Sequence, residues 1–137
     1  MMKRDTWTFR YTAQQLADAT KAKIEHHNKC LEFWEGRREQ LIAEIRADGI
    51  EVNEKTVLQT PERMNIKGRD WTTGGDVMIR NDLRKSLAES YEKLSYHTVR
   101  RDQYKGWLQA FTDNLENSHE LEMDDWQFFF GKDVDPA

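Results

Sequence analysis

The residue types that most often do chemistry gather in one stretch, which contains His26, His27 and Cys30. His26 and Cys30 are four residues apart, so on a helix both side chains share a face and can ligate a soft metal ion. A zinc site needs three or four ligands, and no CxxC or HExxH motif supplies the others. We therefore predict no cofactor and interpret the pair as a surface histidine beside a partly buried thiol. A small metal-dependent enzyme that uses these three residues is kept as an alternative function.

A second titratable set interrupts two apolar seams, and it comprises His27, His97, Arg101 and Arg38. A polar layer inside a coiled coil commonly fixes the helix register and lowers stability. The alternative is a pH switch, because protonated histidines beside arginine repel one another. Stability would then fall between about pH 7 and pH 5. No nucleophile–base motif such as GxSxG accompanies these residues, so we do not expect an enzyme.

The C-terminal tail is the predicted partner-binding region. Residues 116–137 carry seven acids and one lysine, and four large aromatic residues fall within five positions. Aromatic side chains dominate binding energy when they fill pockets, and acidic neighbours steer a segment towards a basic partner. In the alternative interpretation, the tail aromatics fold back on Trp7, Phe9 and Phe111 and close the end of the fold. The predicted partner-binding residues are Trp126, Phe128, Phe129, Phe130, Asp124, Asp125 and, outside the tail, Trp71.

The first of two predicted helices covers residues 12–48 and positions the histidines. Thr12 and Gln15 have the spacing of a capping box at its start. Apolar residues then recur at alternating steps of three and four, which is typical of a heptad seam. Gly49 follows the last seam position and predicts the end of the helix.

The second predicted helix covers residues 77–115, with Asp76 as its candidate N-cap. Its seam has the same spacing, and the two seams match in an antiparallel register whose paired residue numbers sum to 128. That register places Leu41 opposite Leu87 and His27 opposite Arg101. The fold class is therefore all-α: two long helices form an antiparallel coiled-coil hairpin, with an irregular or weakly β tip insertion and a short C-terminal helical segment.

Three further segments complete a single predicted domain of residues 1–137. The N-terminal arm, residues 1–11, contains an alternating polar and aromatic run typical of a strand, which we expect beside the C-terminal region. The tip insertion, residues 49–76, is too long for a plain turn and is expected to contain short strands. The tail, residues 116–137, is expected to form a short helix that Gly131 stops.

Composition narrows the functional classes. The net charge is −4, and the acidic tail leaves the remainder near neutrality, so we expect no direct nucleic-acid binding. No apolar run approaches 18 residues and no charged-then-apolar leader is present, so we expect no membrane insertion or secretion. The single cysteine agrees with a cytoplasmic location.

The predicted function is a non-enzymatic protein–protein interaction module, acting as an adaptor, assembly factor or stoichiometric inhibitor. It would use the tip insertion, the acidic aromatic tail or both. The expected partner is another protein with a basic or apolar groove, and homo-oligomerisation is also expected, because each helix has apolar residues off its seam. Besides the enzyme, a second alternative is a partner or inhibitor of nucleic-acid machinery, whose acidic tail mimics phosphate charge.

Overall fold

The computed structural model describes residues 8–50, 63–66, 69–74 and 77–133, with side chains described for 8–50 and 82–133. The chain is mostly helical, and two long helices pack closely together, which confirms the predicted helical hairpin. Within the described ranges, no helix combines the length and apolarity needed to cross a membrane. The elements in chain order are β1 (Thr8–Thr12), α1 (Ala13–Ala47), β2 (Arg63–Ile66), β3 (Arg69–Gly74), β4 (Val77–Arg80), α2 (Asn81–Asp113), β5 (Ser118–Glu122) and α3 (Met123–Phe130).

The chain forms two compact units. The first unit comprises residues 1–30 and 97–137, and the second unit comprises residues 31–96. Each unit has its own apolar core, to which both long helices contribute.

The start of α1 is fixed by the predicted capping box. The Thr12 backbone N–H donates to Gln15 Oε1 at 2.9 Å, and the Gln15 backbone N–H donates to Thr12 Oγ1 at 3.2 Å. These reciprocal bonds satisfy two backbone donors that a helix start leaves unpaired. Tyr11 packs against the core cluster that contains the fully buried Leu16, and the two residues have the spacing of a hydrophobic staple.

The core of the first unit lies among α1, α2 and the C-terminal segment. β1 pairs antiparallel with β5, with Thr8 opposite Glu122 and Thr12 opposite Ser118. The predicted strand in the N-terminal arm, and its place beside the C-terminal region, are therefore confirmed. The Ala13 N–H also donates to the Asn117 carbonyl oxygen at 2.7 Å, which joins the start of α1 to the start of β5. The buried apolar side chains are Ala13, Leu16, Ala17, Tyr104, Phe111, Leu121 and Phe129.

The core of the second unit is aliphatic. Leu41 and Ile45 of α1 cluster with Leu83 and Leu87 of α2, which are the pairs that the register summing to 128 brings together. Burying a leucine or isoleucine fully contributes about 1.5–3 kcal/mol. The helix α1 ends at Ala47, one residue before the predicted end, and Gly49 then adopts φ +84°, a left-handed conformation that side-chain-bearing residues avoid.

The tip insertion contains an antiparallel sheet of strand order β2-β3-β4, in which Trp71 of β3 lies between Met64 and Arg80. The expectation of short strands is therefore confirmed for residues 63–66 and 69–74. Residues 51–62, 67–68 and 75–76, including the candidate N-cap Asp76, lie outside the described residues. The helix α2 begins four residues later than predicted, because residues 77–80 pair with β3 instead of entering the helix.

Candidate functional site

The helix α3 presents one side to the core of the first unit and the other to solvent. Phe129 is buried, whereas Met123, Asp124 and Asp125 are exposed. Both aspartates lie in the first helical turn, where the helix dipole favours negative charge. The helix ends at Gly131, as the sequence predicted.

Two of the tail aromatics pack against β1. Phe130 stacks on Tyr11 with ring centroids 4.5 Å apart, and Trp126 lies 5.8 Å from Phe9. The indole Nε1–H of Trp126 donates to the Tyr11 hydroxyl at 3.0 Å. Aromatic pairs of this kind contribute about 0.5–1.5 kcal/mol each beyond their burial. The pairing of β1 with β5 brings these residues together, since it places β1 beside the segment that leads into α3.

The other two tail aromatics pack against α2. Phe128 stacks on Tyr104 at 4.3 Å, and the Tyr104 hydroxyl donates to the Phe128 carbonyl oxygen at 2.5 Å. Phe129 meets Phe111 at 5.4 Å. The aromatics therefore fold back onto the end of the helices, which is the arrangement of the alternative interpretation; Trp7 lies outside the described residues. The surface that remains for a partner is the acidic side of α3 and its surroundings.

That acidic side borders a cleft of about 310 Å³. Trp107, which is 49% exposed, stacks on Phe111 at 5.8 Å and stands nearly perpendicular to Phe129, at 5.9 Å and 85°. Two exposed carboxylates, those of Glu120 and Asp125, are also part of the lining. The lining residues are Leu16, Trp107, Phe111, His119, Glu120, Leu121, Asp125, Phe128 and Phe129.

A buried histidine pair lies deeper in the same unit. His27 Nδ1 and His97 Nδ1 are 2.8 Å apart, and both side chains are buried. One ring must donate and the other must accept, so the hydrogen bond requires that at least one ring be neutral. The His27 ring also stacks on Tyr104 at 5.6 Å.

The surroundings of His27 favour its neutral form. The pKa of His27 is lowered to about 4, mainly by burial and also by the neighbouring His97, His26 and Arg100, whereas the Asp133 carboxylate opposes them. A buried imidazole loses hydration when it is charged, and nearby positive groups repel the added proton. His27 is therefore neutral within this buried polar pair, and a register-fixing role for the pair stays a prediction.

His26 and Cys30, the residues with metal-ligating spacing, do lie close together. His26 Nε2 is 3.6 Å from Cys30 Sγ and 3.9 Å from Asp133 Oδ1. The same Asp133 Oδ1 accepts a hydrogen bond from the buried Lys23 at 2.7 Å, and Lys23 also donates to the Gly131 carbonyl oxygen. In the part of the chain that the structure describes, no group of three or more His, Cys, Asp or Glu residues is placed to hold a metal ion.

The remaining predicted site residues are dispersed. The Arg101 guanidinium pairs with Asp102 at 3.3 Å, and His97 instead hydrogen-bonds to His27. Arg38 lies 5.8 Å from the ring centroid of Tyr91, where a cation–π interaction forms. The side chain of Trp71 lies outside the described residues.

Sequence reasoning missed most of the cleft. Trp107 and His119 enter it because β5 and α3 fold back along α2, a contact between distant parts of the chain. In the sequence, the only local indication of the cleft was Trp107 itself, an apolar residue outside the heptad seam of the second helix. Lys23 was also missed, since a lysine in a helix is ordinarily exposed and only its two acceptors near the C terminus explain its burial.

No protein-family model, curated protein or solved structure matches this chain.

Proposed function

We propose that this protein is a non-enzymatic protein-binding module, and that the acidic face of its first unit binds a basic segment of another protein. The acidic face comprises Glu120, Glu122, Asp124 and Asp125 with the exposed Met123. The observation that supports this proposal best is the two-sided character of α3, which buries Phe129 while leaving both aspartates in solvent.

The charge of this face indicates the kind of partner. Residues 118–130 contain four acids and no lysine or arginine. One of these acids, Glu120, pairs with Arg10 at 2.6 Å, and both side chains are well exposed. Exposed ion pairs contribute little stability, so this pair is readily exchanged for a partner's cation. Complementary charge accelerates association and selects against acidic partners.

Several contacts hold the acidic face in place. Lys23 donates to Asp133 and Gly131 just beyond α3, and Tyr104 donates to the Phe128 carbonyl oxygen within it. A surface that is already ordered loses less conformational entropy on binding than a flexible tail does. The two long helices therefore serve as a scaffold that presents the face.

Photocrosslinking tests the proposal with a matched control. A benzophenone amino acid replaces Met123, which is 44% exposed on the acidic face, or Phe33, which is 49% exposed in the second unit. In cells that naturally make the protein, we expect a discrete adduct with another protein from position 123, whereas position 33 should crosslink at most to a second copy of this chain. The crosslinked segment of the partner should be rich in lysine and arginine.

A binding measurement with purified components completes the test. The crosslinked segment, made as a peptide, should bind the full chain less tightly as NaCl rises, because salt screens exposed charges. The proposal is wrong if position 123 yields no adduct, or if its adduct maps to an acidic or uncharged segment that binds equally at low and high salt.

A cytoplasmic location, a coiled-coil interface and self-association also belong to this proposal. The buried thiol of Cys30, the single cysteine of the sequence, supports a reducing compartment, and the exposed Phe33 supports association between copies. Sedimentation velocity over a hundredfold concentration range would detect self-association, and Phe33→Glu should weaken it. A constant sedimentation coefficient would contradict that part of the proposal.

A further inference from the structure

The cleft beside α3 is built from features that suit a cation on an aliphatic stem. Its apolar part is an aromatic corner, in which Trp107 and Phe129 stand nearly perpendicular at 85°. Trp107 is 49% exposed, so part of this large ring remains accessible to a ligand. Among aromatic side chains, tryptophan attracts cations most strongly.

The polar part of the cleft selects the charge of its occupant. The exposed carboxylates of Glu120 and Asp125 line it, and an anion would meet both. A wholly apolar group would reduce the hydration of these carboxylates without replacing it. A positive group on an apolar stem satisfies both parts of the lining.

The same aromatic cluster already holds one cation from its own chain. The guanidinium carbon of Arg100 lies 5.5 Å from the centroid of the Phe128 ring. Phe128 also lines the cleft, so cation–π contact is compatible with the environment of this cluster.

The volume limits the size of the occupant. At about 310 Å³ the cleft lies at the lower end of ligand pockets, which span roughly 300–1,000 Å³. This space suits a single side chain better than a dinucleotide or another large cofactor.

We infer that the cleft formed by Trp107, Phe129, Glu120 and Asp125 is the binding site for a lysine or arginine side chain of the partner. This inference rests on the proposed function and names the group that the acidic face recognises. The aliphatic stem lies against the aromatic corner, and the cationic head lies between the two carboxylates.

NMR titration of the ¹⁵N-labelled full chain tests the inference with a pair of small probes. N-acetyl-lysine methylamide carries the cation, and N-acetyl-norleucine methylamide has a similar stem without it. The titration is carried out at pH 8, above the ordinary pKa of imidazole in model peptides. We expect the lysine probe to shift the Trp107 indole N–H signal with a dissociation constant on the order of millimolar. The norleucine probe should bind at least fivefold more weakly.

Two neighbouring aspartates provide matched variants. Asp125 lines the cleft, whereas Asp124 occupies the same exposed helical turn but does not. Asp125→Asn should weaken lysine binding about two- to fivefold, as expected for one exposed charge, and Asp124→Asn should change it less than 1.5-fold. Trp107→Leu should weaken it about fivefold or more. Because both aspartates are exposed, the asparagine variants decide the question even if Trp107→Leu does not fold.

Three results would overturn the inference: equal binding of the two probes, equal effects of the two asparagine variants, or no shift of the Trp107 signal. Lysine binding without a crosslinked partner would leave the cleft intact and refute the protein-binding function. A crosslinked basic segment without binding of the lysine probe would refute the inference about the cleft and leave the protein-binding function intact.

Discussion

The buried histidine pair makes the stability of this protein depend on pH in a way that one substitution can isolate. His27 is buried against His97, its Nδ1 lies 2.8 Å from that of its partner, and its pKa is lowered to about 4. His27→Gln keeps a side chain that can both donate and accept a hydrogen bond but removes the titration. The variant should therefore lose part of the pH dependence of the wild-type protein.

The sign and size of the effect follow from proton binding. An unfolded histidine has a pKa near 6.5, above the folded value of about 4, so below pH 6.5 the unfolded chain binds the proton more readily. The stabilising contribution of neutral His27 is thus complete above about pH 6.5, and it is lost as the pH falls towards 4. Between pH 7 and pH 5 the loss is about 2 kcal/mol. For a chain of this size, this corresponds to roughly 6–10 °C in Tm.

Urea unfolding at pH 7, 6 and 5, followed by circular dichroism, measures this loss. The free energy of unfolding should fall by about 2 kcal/mol more in the wild type than in His27→Gln over that range. Tyr104→Phe is the control, because it removes the hydroxyl bond to the Phe128 carbonyl oxygen and keeps the ring beside His27. It should lower stability similarly at all three pH values. Parallel pH profiles for His27→Gln and the wild type would refute the reasoning.

Four further substitutions should change the free energy of unfolding in urea at pH 7. Gly36→Ala should stabilise by about 1 kcal/mol, because a helical Cβ there meets nothing within 4 Å. Gly49→Ala should destabilise by about 1 kcal/mol, because φ is +84° in equally open space. Thr12→Ala should destabilise by about 1 kcal/mol through loss of the N-cap. Lys23→Met should cost about 1.5–3 kcal/mol, because it removes charged hydrogen bonds to Asp133 and Gly131.

Each of these predictions has an internal comparison. The two glycine variants must differ in sign, and equal effects would contradict the backbone argument. Thr112→Ala is the control for the cap, since this exposed hydroxyl bonds only to carbonyls of its own helix; an equal loss would contradict the capping role of Thr12. Lys23→Met should also speed hydrogen exchange in α3, and unchanged exchange would show that Lys23 does not anchor it.

The features that were predictable from sequence depend on neighbours along the chain. Thr12 and Gln15 are three residues apart and form their capping bonds whatever else the chain does. Gly49 ends α1 through its own backbone conformation. The seams were readable because a helix repeats its core-facing positions every three to four residues, and Leu41 with Leu87 lies in one core as the register required.

Other features depend on contacts between distant residues, and these were not predictable. The segment Val77–Arg80 contains apolar residues that suit either a helix or a strand. It forms a strand because it pairs with β3. The partner of His27 was expected to be Arg101, but His97 forms the hydrogen bond. The long side chain of Arg101 keeps its guanidinium near solvent, where it pairs with Asp102. This position costs less desolvation free energy than a position in the core would.

The sequence by itself determined where the two long helices lie, how α1 starts and stops, and that the C-terminal segment is both aromatic and acidic. Only the tertiary structure decided which side of that segment is buried, because the pairing of β1 with β5 turns Phe129 inward and leaves Asp124 and Asp125 outside. It also assembled the cleft around Trp107 from residues on both sides of a chain reversal. Local periodicity sets the elements, whereas burial and surface charge depend on which distant elements meet.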